Sequence, residues 1–288
     1  MDGYALIDIP RCGAENMALD QRLLEFAAEQ QRPVLRLYRW SEPTLSLGYF
    51  QHYAERVTHP PSSQLAVVRR STGGGAIVHH ADWTYCVALP DQALANDSGR
   101  RAIAASKIGA SQPLYDCLHD AVVLWLQGRG LAAKKWSATC DTPPTQPPGQ
   151  HSPEQSAVEQ AVLGGAASKR RFLCFERRSC GDVVSGQHKV MGSAQRRRPG
   201  ALLQHGSLLL ATSEYAPSLS GLAELSPALD AAMAAPGQLE SFFLCLKNGI
   251  QATTGTELRD VDSINALPLG WSWPRQTPYA DSSWTRRR

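Results

Sequence analysis

Short runs of alternating hydrophobic and polar positions dominate the first ninety residues, and one helical stretch interrupts them. Tyr4 to Ile9 alternates and stops at Pro10, whereas the chain from Asn16 to Pro33 repeats its hydrophobic residues every three or four positions. Alternation is typical of a strand with one buried face, and the longer repeat is typical of an amphipathic helix. We therefore predict a strand, then a helix capped by Asn16, then strands over residues 34–40, 44–50, 65–70, 76–80 and 84–89.

The second half of the chain carries a long insertion between two groups of predicted elements. Leu114 to Gln127 has a helical hydrophobic stripe, and glycines follow it. Five prolines among Gln, Ser and Thr predict a loop-like insertion at about residues 140–168. Strands are predicted after it over 172–175, 181–185, 188–192 and 204–210, with a hairpin turn at 185–187. We expect one domain over residues 1–255 and an irregular C-terminal extension over 256–288.

Composition excludes several classes of protein. The 288 residues carry a formal net charge of +3, which is too small to predict a nucleic-acid partner. Seven cysteines without CxxC pairing argue against a disulfide framework and predict reduced thiols in a cytoplasmic protein. We also expect no membrane segment, because the N-terminus lacks a signal-peptide pattern and no hydrophobic run reaches about 18 residues. Basic clusters at 169–171, 196–198 and 286–288 favour contact with an acidic protein surface.

Three consecutive glycines, Gly73, Gly74 and Gly75, follow Arg69 and Arg70 and predict a tight connection between adjacent strands. Glycine permits positive φ and lets a ligand approach bare N–H groups. The arginines offer a fixed positive fork that suits a carboxylate, a phosphate or a developing oxyanion. Glycine hairpins and solvated arginines are also common without any ligand, so a purely structural role stays open here. Gly48 interrupts a predicted strand and indicates a close backbone approach or a bulge.

Lysine, cysteine and histidine residues supply the remaining candidate chemistry. Lys189 follows a predicted turn, where a lysine either polarises a carbonyl group or stands exposed to solvent. Cys174 lies in a strand predicted beside that hairpin, and it is a nucleophile only if a nearby cation or donor stabilises its thiolate. We expect His205 to be a hydrogen-bonded core group. No second ligand cluster accompanies His79 and its neighbours, so we expect no metal.

Five motifs, in chain order, resemble the lipoate-protein ligase and octanoyltransferase family of the biotin and lipoate ligase superfamily. The motifs occupy residues 16–20, 43–51, 69–79, 189–195 and 203–207. The resemblance implies an α+β fold in which a mixed, largely antiparallel sheet is flanked by helices, as in biotin ligases and class II synthetases. It also implies attachment of octanoyl or lipoyl groups to one lysine of acidic lipoyl domains, in 2-oxoacid dehydrogenases and glycine cleavage H protein.

The same resemblance implies roles for individual residues. Lys189 contacts the acyl carbonyl, and the expected acyl-binding residues are Arg70, Gly73, Gly74, Gly75, His79, Gly192 and Ser193. In the branch that transfers the acyl group through a cysteine thioester, a Cys-Phe pair stands fifteen residues before the lysine, as Cys174 and Phe175 do here. The family's His-Asp pair is His79 and His80 in this chain, with Asp82 two residues later. The role of that aspartate is therefore left open.

Three functions remain possible from the sequence. A transferase takes octanoate from acyl carrier protein and needs no cofactor, whereas a lipoate ligase forms lipoyl-AMP from free lipoate with ATP and Mg²⁺ and leaves Cys174 idle. A non-catalytic acyl-binding module is the third, favoured only by the altered His-Asp pair. We predict the transferase, with Cys174 as nucleophile and Lys189 as the carbonyl-polarising group. Replacing Lys189 with Ala is then expected to abolish transfer and leave the fold intact.

Overall fold

Eleven strands form two sheets in the part of the chain that the computed structural model describes, residues 2–94, 112–137, 171–268 and 278–288. The insertion predicted at about 140–168 lies outside these residues. The strands are β1 (Asp2–Ile7), β2 (Val34–Tyr38), β3 (Thr44–Leu47), β4 (Ala66–Arg69), β5 (Ile77–His79), β6 (Asp82–Pro90), β7 (Ala133–Lys135), β8 (Val183–Ser185), β9 (His188–Arg198), β10 (Ala201–Leu209) and β11 (Glu257–Asp260).

Eight strands make a large sheet in the order β11-β1-β2-β6-β10-β9-β8-β7. The pairs β11/β1 and β1/β2 are parallel, and every other pair is antiparallel. A smaller sheet has the order β4-β3-β5. The mixed, largely antiparallel sheet predicted from the sequence is confirmed.

Helices cover both faces of the large sheet. Those of the described residues are α1 (Gly13–Gln30), α2 (Asp91–Leu94), α3 (Gln112–Gln127), α4 (Leu222–Leu225), α5 (Pro227–Met233), α6 (Gln238–Thr254) and α7 (Ser282–Arg286). Short 3₁₀ helices span Tyr53–Thr58, Pro60–Ser62, Cys174–Glu176, Ile264–Ala266 and Pro278–Ala280. None of the helices in the described ranges combines the length and the hydrophobicity that a membrane crossing requires.

Alternation along β6 divides the core between the two faces. Val87 packs in the cluster beneath α3 and α6, and Ala88 packs in the cluster beneath α1. Successive side chains of a strand point to opposite faces, so a strand covered on both sides is hydrophobic at every position. β6 and β10 are buried throughout and therefore carry the site residues on a rigid base.

The glycine triplet connects β4 to β5, which are not neighbours. The two strands flank β3, so the predicted connection between adjacent strands is wrong and the loop passes over the end of β3 instead. Gly48, just after β3, is the point of contact: a Cβ there would lie 2.1 Å from the carbonyl oxygen of Gly74. The close backbone approach predicted at Gly48 is thereby confirmed.

Two further predictions need correction. Asn16 is buried inside α1 rather than capping it, and its side chain donates to the carbonyl oxygens of Arg11 and Arg39 and accepts from Arg36. The segment after Gly255, expected to be irregular, adds β11 to the sheet and places α7 against Arg69. Arg69 donates to the carbonyl oxygen of Thr285 at 2.8 Å, which anchors this end of the chain.

Candidate active site

The predicted site residues gather around one cavity of about 630 Å³, a volume that includes its open mouth. The cavity is lined by residues of β6, β9, β10, the turn at Cys174 and the loop of residues 70–76 between β4 and β5, which we call the glycine loop. Its lining includes the predicted residues Arg70, Gly73, Gly74, His79, Cys174, Lys189, Gly192 and Ser193. Hydrophobic side chains of Met17, Trp40 and Ile77 form another part of the wall. The roles assigned to these residues from the sequence stay predictions.

Gly75 is the predicted site residue that does not line the cavity. It packs instead against the Cys174 segment, because a Cβ at Gly75 would lie 2.9 Å from the backbone nitrogen of Cys174. The neighbouring Ala76 carbonyl accepts the Cys174 N–H at 2.7 Å. Gly75 therefore allows the backbone at Cys174 to lie directly against the glycine loop.

Cys174 lies at the start of a 3₁₀ helix, so the strand predicted over 172–175 is wrong. The hydrophobic run makes only an isolated bridge between Leu173 and Ala76 before the chain turns. Phe172 and Leu173 bury themselves against the small sheet, and the turn after them leaves Cys174 half-buried at the cavity. The thiol is thus reachable from the cavity, as a nucleophile must be.

Lys189 lies between the thiol and a carboxylate. Its Nζ is 3.8 Å from Cys174 Sγ and 2.8 Å from Asp182 Oδ2, and the Lys189 and Asp182 side chains are only 3% and 2% exposed. The Lys189 side chain therefore contacts both the thiol that faces the cavity and the buried carboxylate. Asp182 was not predicted as a site residue, although it directly precedes β8, the strand that pairs with the Lys189 hairpin.

A β-bulge places Lys189 on the cavity side. Val183 and Val184, adjacent on β8, pair with Met191 and Lys189, so β9 holds one extra residue at Val190. A bulge shifts the alternation of side chains by one position. Lys189 consequently shares a face with Gly192, where a Cβ would lie 2.5 Å from the Lys189 Cε.

His79 is held by Asp82, which answers the question left open by the sequence. Asp82 Oδ2 lies 2.8 Å from His79 Nδ1, whereas His80 turns to Ser213. Burial lowers the pKa of His79 and outweighs the attraction of Asp82, so the ring is neutral at neutral pH. The neutral ring donates from Nδ1 to Asp82 and accepts at Nε2 from the hydroxyl of Ser46, 2.8 Å away.

Arg70 shapes the glycine loop from inside. Its guanidinium donates to the carbonyl oxygens of Ser46, Gly73 and Gly75 at 2.7, 3.1 and 2.9 Å. Burial lowers the pKa of Arg70 to about 10, which still leaves it charged at neutral pH. The terminal N–H groups of Arg70, predicted to meet an anion, therefore donate to backbone carbonyls of the protein itself. Arg69 likewise donates to the carbonyl oxygens of Gly48, Gln51 and Thr285.

Ser193 belongs to a buried hydrogen-bond chain that sequence reasoning missed. Its Oγ lies 2.7 Å from His119 Nε2 and 2.7 Å from the Tyr85 hydroxyl. His119 Nδ1 donates to the Gly181 carbonyl, and burial lowers the His119 pKa to about 4, so Nε2 is a hydrogen-bond acceptor. A histidine on the buried stripe of α3 was the available signal.

His205 is the hydrogen-bonded core group that was predicted, and it also lines the cavity. It lies 2.6 Å from the Thr72 hydroxyl and 3.1 Å from Asp20 Oδ2. The contact with Thr72 ties the glycine loop to β10. Among the described residues, no group of three or more His, Cys, Asp or Glu side chains gathers as metal ligands.

Two solved structures with a similar architecture are described as lipoate protein ligases. Lipoate-protein ligase A bound with ATP has a TM-score of 0.62 at 18% identity, with 99% of each chain covered. A bipartite lipoate protein ligase of Thermoplasma acidophilum, described with its E2 lipoyl domain, has a TM-score of 0.60 at 17% identity, covering 99% of this chain and 96% of that one. At these identities the likeness establishes the fold alone.

Sequence relatives define the family. Residues 12–114 match the profile of the lipoyl protein ligase A/B catalytic domain. The chain is 31% identical over 218 residues to octanoyltransferase LipM of Halalkalibacterium halodurans, covering 74% of this chain and 68% of that protein. It is 32% identical over 199 residues to octanoyltransferase LipM of Moorella thermoacetica, covering 68% of this chain and 60% of that protein. The chain belongs to this family of lipoyl protein ligases and octanoyltransferases.

Proposed function

We propose that this protein is an acyltransferase of protein lipoylation that carries an octanoyl group on Cys174. The observation that carries the proposal is the 3.8 Å contact between Cys174 Sγ and Lys189 Nζ at one cavity. Relatives named octanoyltransferase support it. Because the match spans about three fifths of the length of several of these relatives, 60% and 61% in two cases, the activity is a proposal for this chain.

The first step loads the enzyme. The Cys174 thiolate attacks the carbonyl carbon of an octanoyl thioester on an acyl carrier protein, and a new S–C bond forms. The tetrahedral intermediate then collapses, the S–C bond to the carrier breaks, and the carrier thiolate takes up the proton that Cys174 released. One thioester replaces another, so the step needs no ATP.

The second step unloads the enzyme onto a lipoyl domain. The neutral amine of the target lysine attacks the Cys174 thioester, an N–C bond forms, and the S–C bond breaks. The amine nitrogen loses a proton, which returns to the Cys174 thiolate. An amide replaces a thioester, which makes this step favourable, and the covalent intermediate divides one difficult transfer into two easier ones.

Lys189 supports both steps electrostatically. Its ammonium group stabilises the Cys174 thiolate before attack and the oxyanion of each tetrahedral intermediate afterwards. The ammonium is held by Asp182 in a buried setting, where a preoriented charge is more effective than in water. We assign the acyl-binding role to Gly73 and Gly74 of the glycine loop, His79, Gly192 and Ser193, with Met17 and Trp40 as hydrophobic contacts.

The alternative of an ATP-dependent lipoate ligase has no specific observation in its favour. The two ligases compared above share 18% and 17% identity with this chain, which carries information on fold only. A ligase mechanism also gives Cys174 no chemical task. The proposed partners are an acyl carrier protein as donor and lipoyl domains, including glycine cleavage H protein, as acceptors.

Intact mass spectrometry tests the proposal directly. The protein and an apo lipoyl domain are mixed with octanoyl acyl carrier protein without ATP, and in parallel with free lipoate, ATP and Mg²⁺. We expect an octanoyl adduct on the enzyme that hydroxylamine removes, followed by octanoylation of the lipoyl domain.

The variant Cys174→Ser is the matched control, and it should form no hydroxylamine-sensitive adduct and no octanoylated lipoyl domain. Modification only in the tube with lipoate and ATP, undiminished in Cys174→Ser, would establish the ligase instead. No modification in either tube would leave an acyl-binding module.

A further inference from the structure

Three exposed arginines form a cluster beside the glycine loop, which we call the arginine collar: Arg196, Arg287 and Arg288. Tyr49 lies at its centre. The Arg287 Cζ is 4.0 Å from the Tyr49 ring centroid, and those of Arg196 and Arg288 are 5.4 and 5.8 Å away. The aromatic rings hold the guanidinium groups at the surface through cation–π contacts.

The positive charge of the collar is not neutralised locally. Within the described ranges, no carboxylate forms a salt bridge with any of its three arginines, whereas Arg197 and Arg198, on the same strand as Arg196, pair with Asp91 and Glu25. The excess positive charge also acts on Tyr49. A hydrogen bond from Arg287 and the charges of the collar lower the pKa of Tyr49.

The collar borders the mouth of the cavity on the side of the glycine loop. Arg196 donates to the Ser71 carbonyl at 3.4 Å, and Arg288 lies 5.5 Å from the ring of Phe50. Phe50 is 67% exposed, and a Cβ at Gly73 would lie 3.9 Å from that ring. Gly73 and Gly74 line the cavity that Cys174 faces, so a ligand bound to the collar stands next to the entrance.

We propose that the arginine collar is the docking surface for the acidic carrier protein that delivers the octanoyl thioester, an inference that rests on the proposed function. A carrier protein presents its thioester on a flexible arm that contains a phosphodiester, and it surrounds that arm with carboxylates. Guanidinium groups are well suited to both anions because they bind oxygen atoms in pairs. A surface of one charge at a cavity mouth also raises the association rate of an oppositely charged ligand.

The donor fits this position better than the acceptor does. Lipoyl domains are acidic as well, but the group that the acceptor inserts is a lysine side chain, which is cationic in water, and uncompensated arginines at the entrance repel that group. The donor inserts an arm with a negative charge near its base. The collar thus attracts the group that must enter first in a two-step transfer.

Charge reversal tests the proposal in the full-length protein. The variant Arg287→Glu/Arg288→Glu reverses the charge at two of the three collar positions, both of them exposed. The matched control is Arg32→Glu/Arg259→Glu, because these exposed arginines flank Tyr4, a residue outside the cavity lining, in the same manner and change the net charge equally. The second-order rate of Cys174 acylation is measured by intact mass spectrometry at low and high salt, with octanoyl carrier protein and with the uncharged octanoyl-N-acetylcysteamine.

With the carrier protein at low salt, we expect the acylation rate of the collar variant to be at least roughly tenfold lower than that of the wild type. Electrostatic steering raises association rates by about ten- to a thousandfold. The deficit should shrink at high salt, and the matched control should lose far less. The uncharged thioester should acylate all three proteins equally. An unchanged rate with the carrier protein, or an equal loss with the uncharged thioester or in the control, would refute the docking surface.

Two further measurements separate this proposal from the proposed function. Holo carrier protein is titrated onto Cys174→Ser with and without the collar substitutions, and weaker binding of the collar variant supports the surface even if no acyl-enzyme ever forms on the wild type. Transfer from pre-acylated enzyme to a lipoyl domain is timed as well. A collar variant that loads normally but unloads slowly would assign the surface to the acceptor and overturn the proposal.

Discussion

The ammonium group of Lys189 lies 2.8 Å from the carboxylate of Asp182, and both side chains are almost completely buried. The ion pair orients the ammonium toward Cys174 Sγ, 3.8 Å away. Tyr115 and the backbone N–H of Ser179 donate to the same carboxylate, so Asp182 is fixed from several sides. A buried charge of this kind cannot lose its partner without cost, which links the proposed chemistry to the stability of the protein.

Lys189→Met is expected to abolish acyl-enzyme formation and to destabilise the fold. Breaking a buried ion pair by removing one partner costs about 3–5 kcal/mol, since the remaining charge is left uncompensated. The expectation that Lys189→Ala leaves the fold intact is revised for this reason. Denaturant unfolding measures the free energy, and intact mass spectrometry measures the acyl adduct.

The double variant Lys189→Met/Asp182→Asn is the control for that prediction. Replacing both charges removes the unpaired carboxylate and should restore most of the lost stability, while the acyl adduct stays absent. A double variant as unstable as the single one would argue against the ion pair as the cause. Acylation at the wild-type rate in either variant would remove Lys189 from the mechanism.

Gly192→Ala is expected to slow acylation and also to destabilise the protein, because it disturbs the buried Lys189–Asp182 pair. Its new Cβ would overlap the Lys189 Cε and Nζ at 2.5 and 2.7 Å, and the flexible lysine can move aside, but only away from its place between Cys174 and Asp182. Acylation rates and unfolding free energies are compared with those of Gly128→Ala, where the nearest atom is at 3.4 Å. Equal acylation rates in the two variants would contradict the proposed alignment of Lys189.

His119 is expected to make the protein less stable as the pH falls from about 6.5 to about 4. Burial lowers its pKa to about 4 from the ordinary 6.5, so the unfolded chain takes up a proton in this range and the folded protein does not. The loss is on the order of 3 kcal/mol and levels off below the folded-state pKa. Urea unfolding at several pH values measures it.

His119→Gln keeps a hydrogen-bonding amide without a titrating group and isolates the contribution of His119. As the pH falls across this window, the unfolding free energy of the wild type should decrease more than that of the variant. His79, whose pKa burial also lowers, contributes with the same sign in both proteins. Parallel curves for the two proteins would show that His119 does not titrate as the structure requires.

Arg36→Met is expected to destabilise the fold by about 3–5 kcal/mol, because it leaves the buried carboxylate of Asp20 without its arginine and leaves Asp8 with Arg11 alone. The Arg36 guanidinium, fully buried, donates to Asp8 at 2.9 Å and to Asp20 at 3.1 Å. Asp20 also contacts His205, which holds Thr72 of the glycine loop. We therefore expect acylation to weaken as well.

Unfolding of Arg36→Met is compared with that of Arg22→Met, since Arg22 pairs on the surface with Glu25 and Glu29. Exposed pairs contribute about 0–1 kcal/mol, so that variant should remain close to the wild type. Similar losses in the two variants would mean that burial of the Arg36 ion pairs is not decisive.

The sequence by itself determined most of the helices and strands, since hydrophobic periodicity follows directly from which face each element buries. The helix predicted from Leu114 to Gln127 is present as α3, and the hairpin predicted at Gly186 joins β8 to β9. The fifteen-residue spacing singled out Cys174 and Lys189 through the family resemblance, and their roles stay predictions; the 3.8 Å distance between Sγ and Nζ is known only from the structure.

Tertiary structure alone decided how those residues are supported. Asp182 reaches Lys189 only because a bulge at Val190 shifts the side-chain alternation of β9, and His119 reaches Ser193 only because α3 packs over that part of the sheet. The arginine collar joins β9 to the end of the chain, about ninety residues later. Such contacts depend on strand register and packing between distant segments, and no periodic pattern in the sequence encodes either.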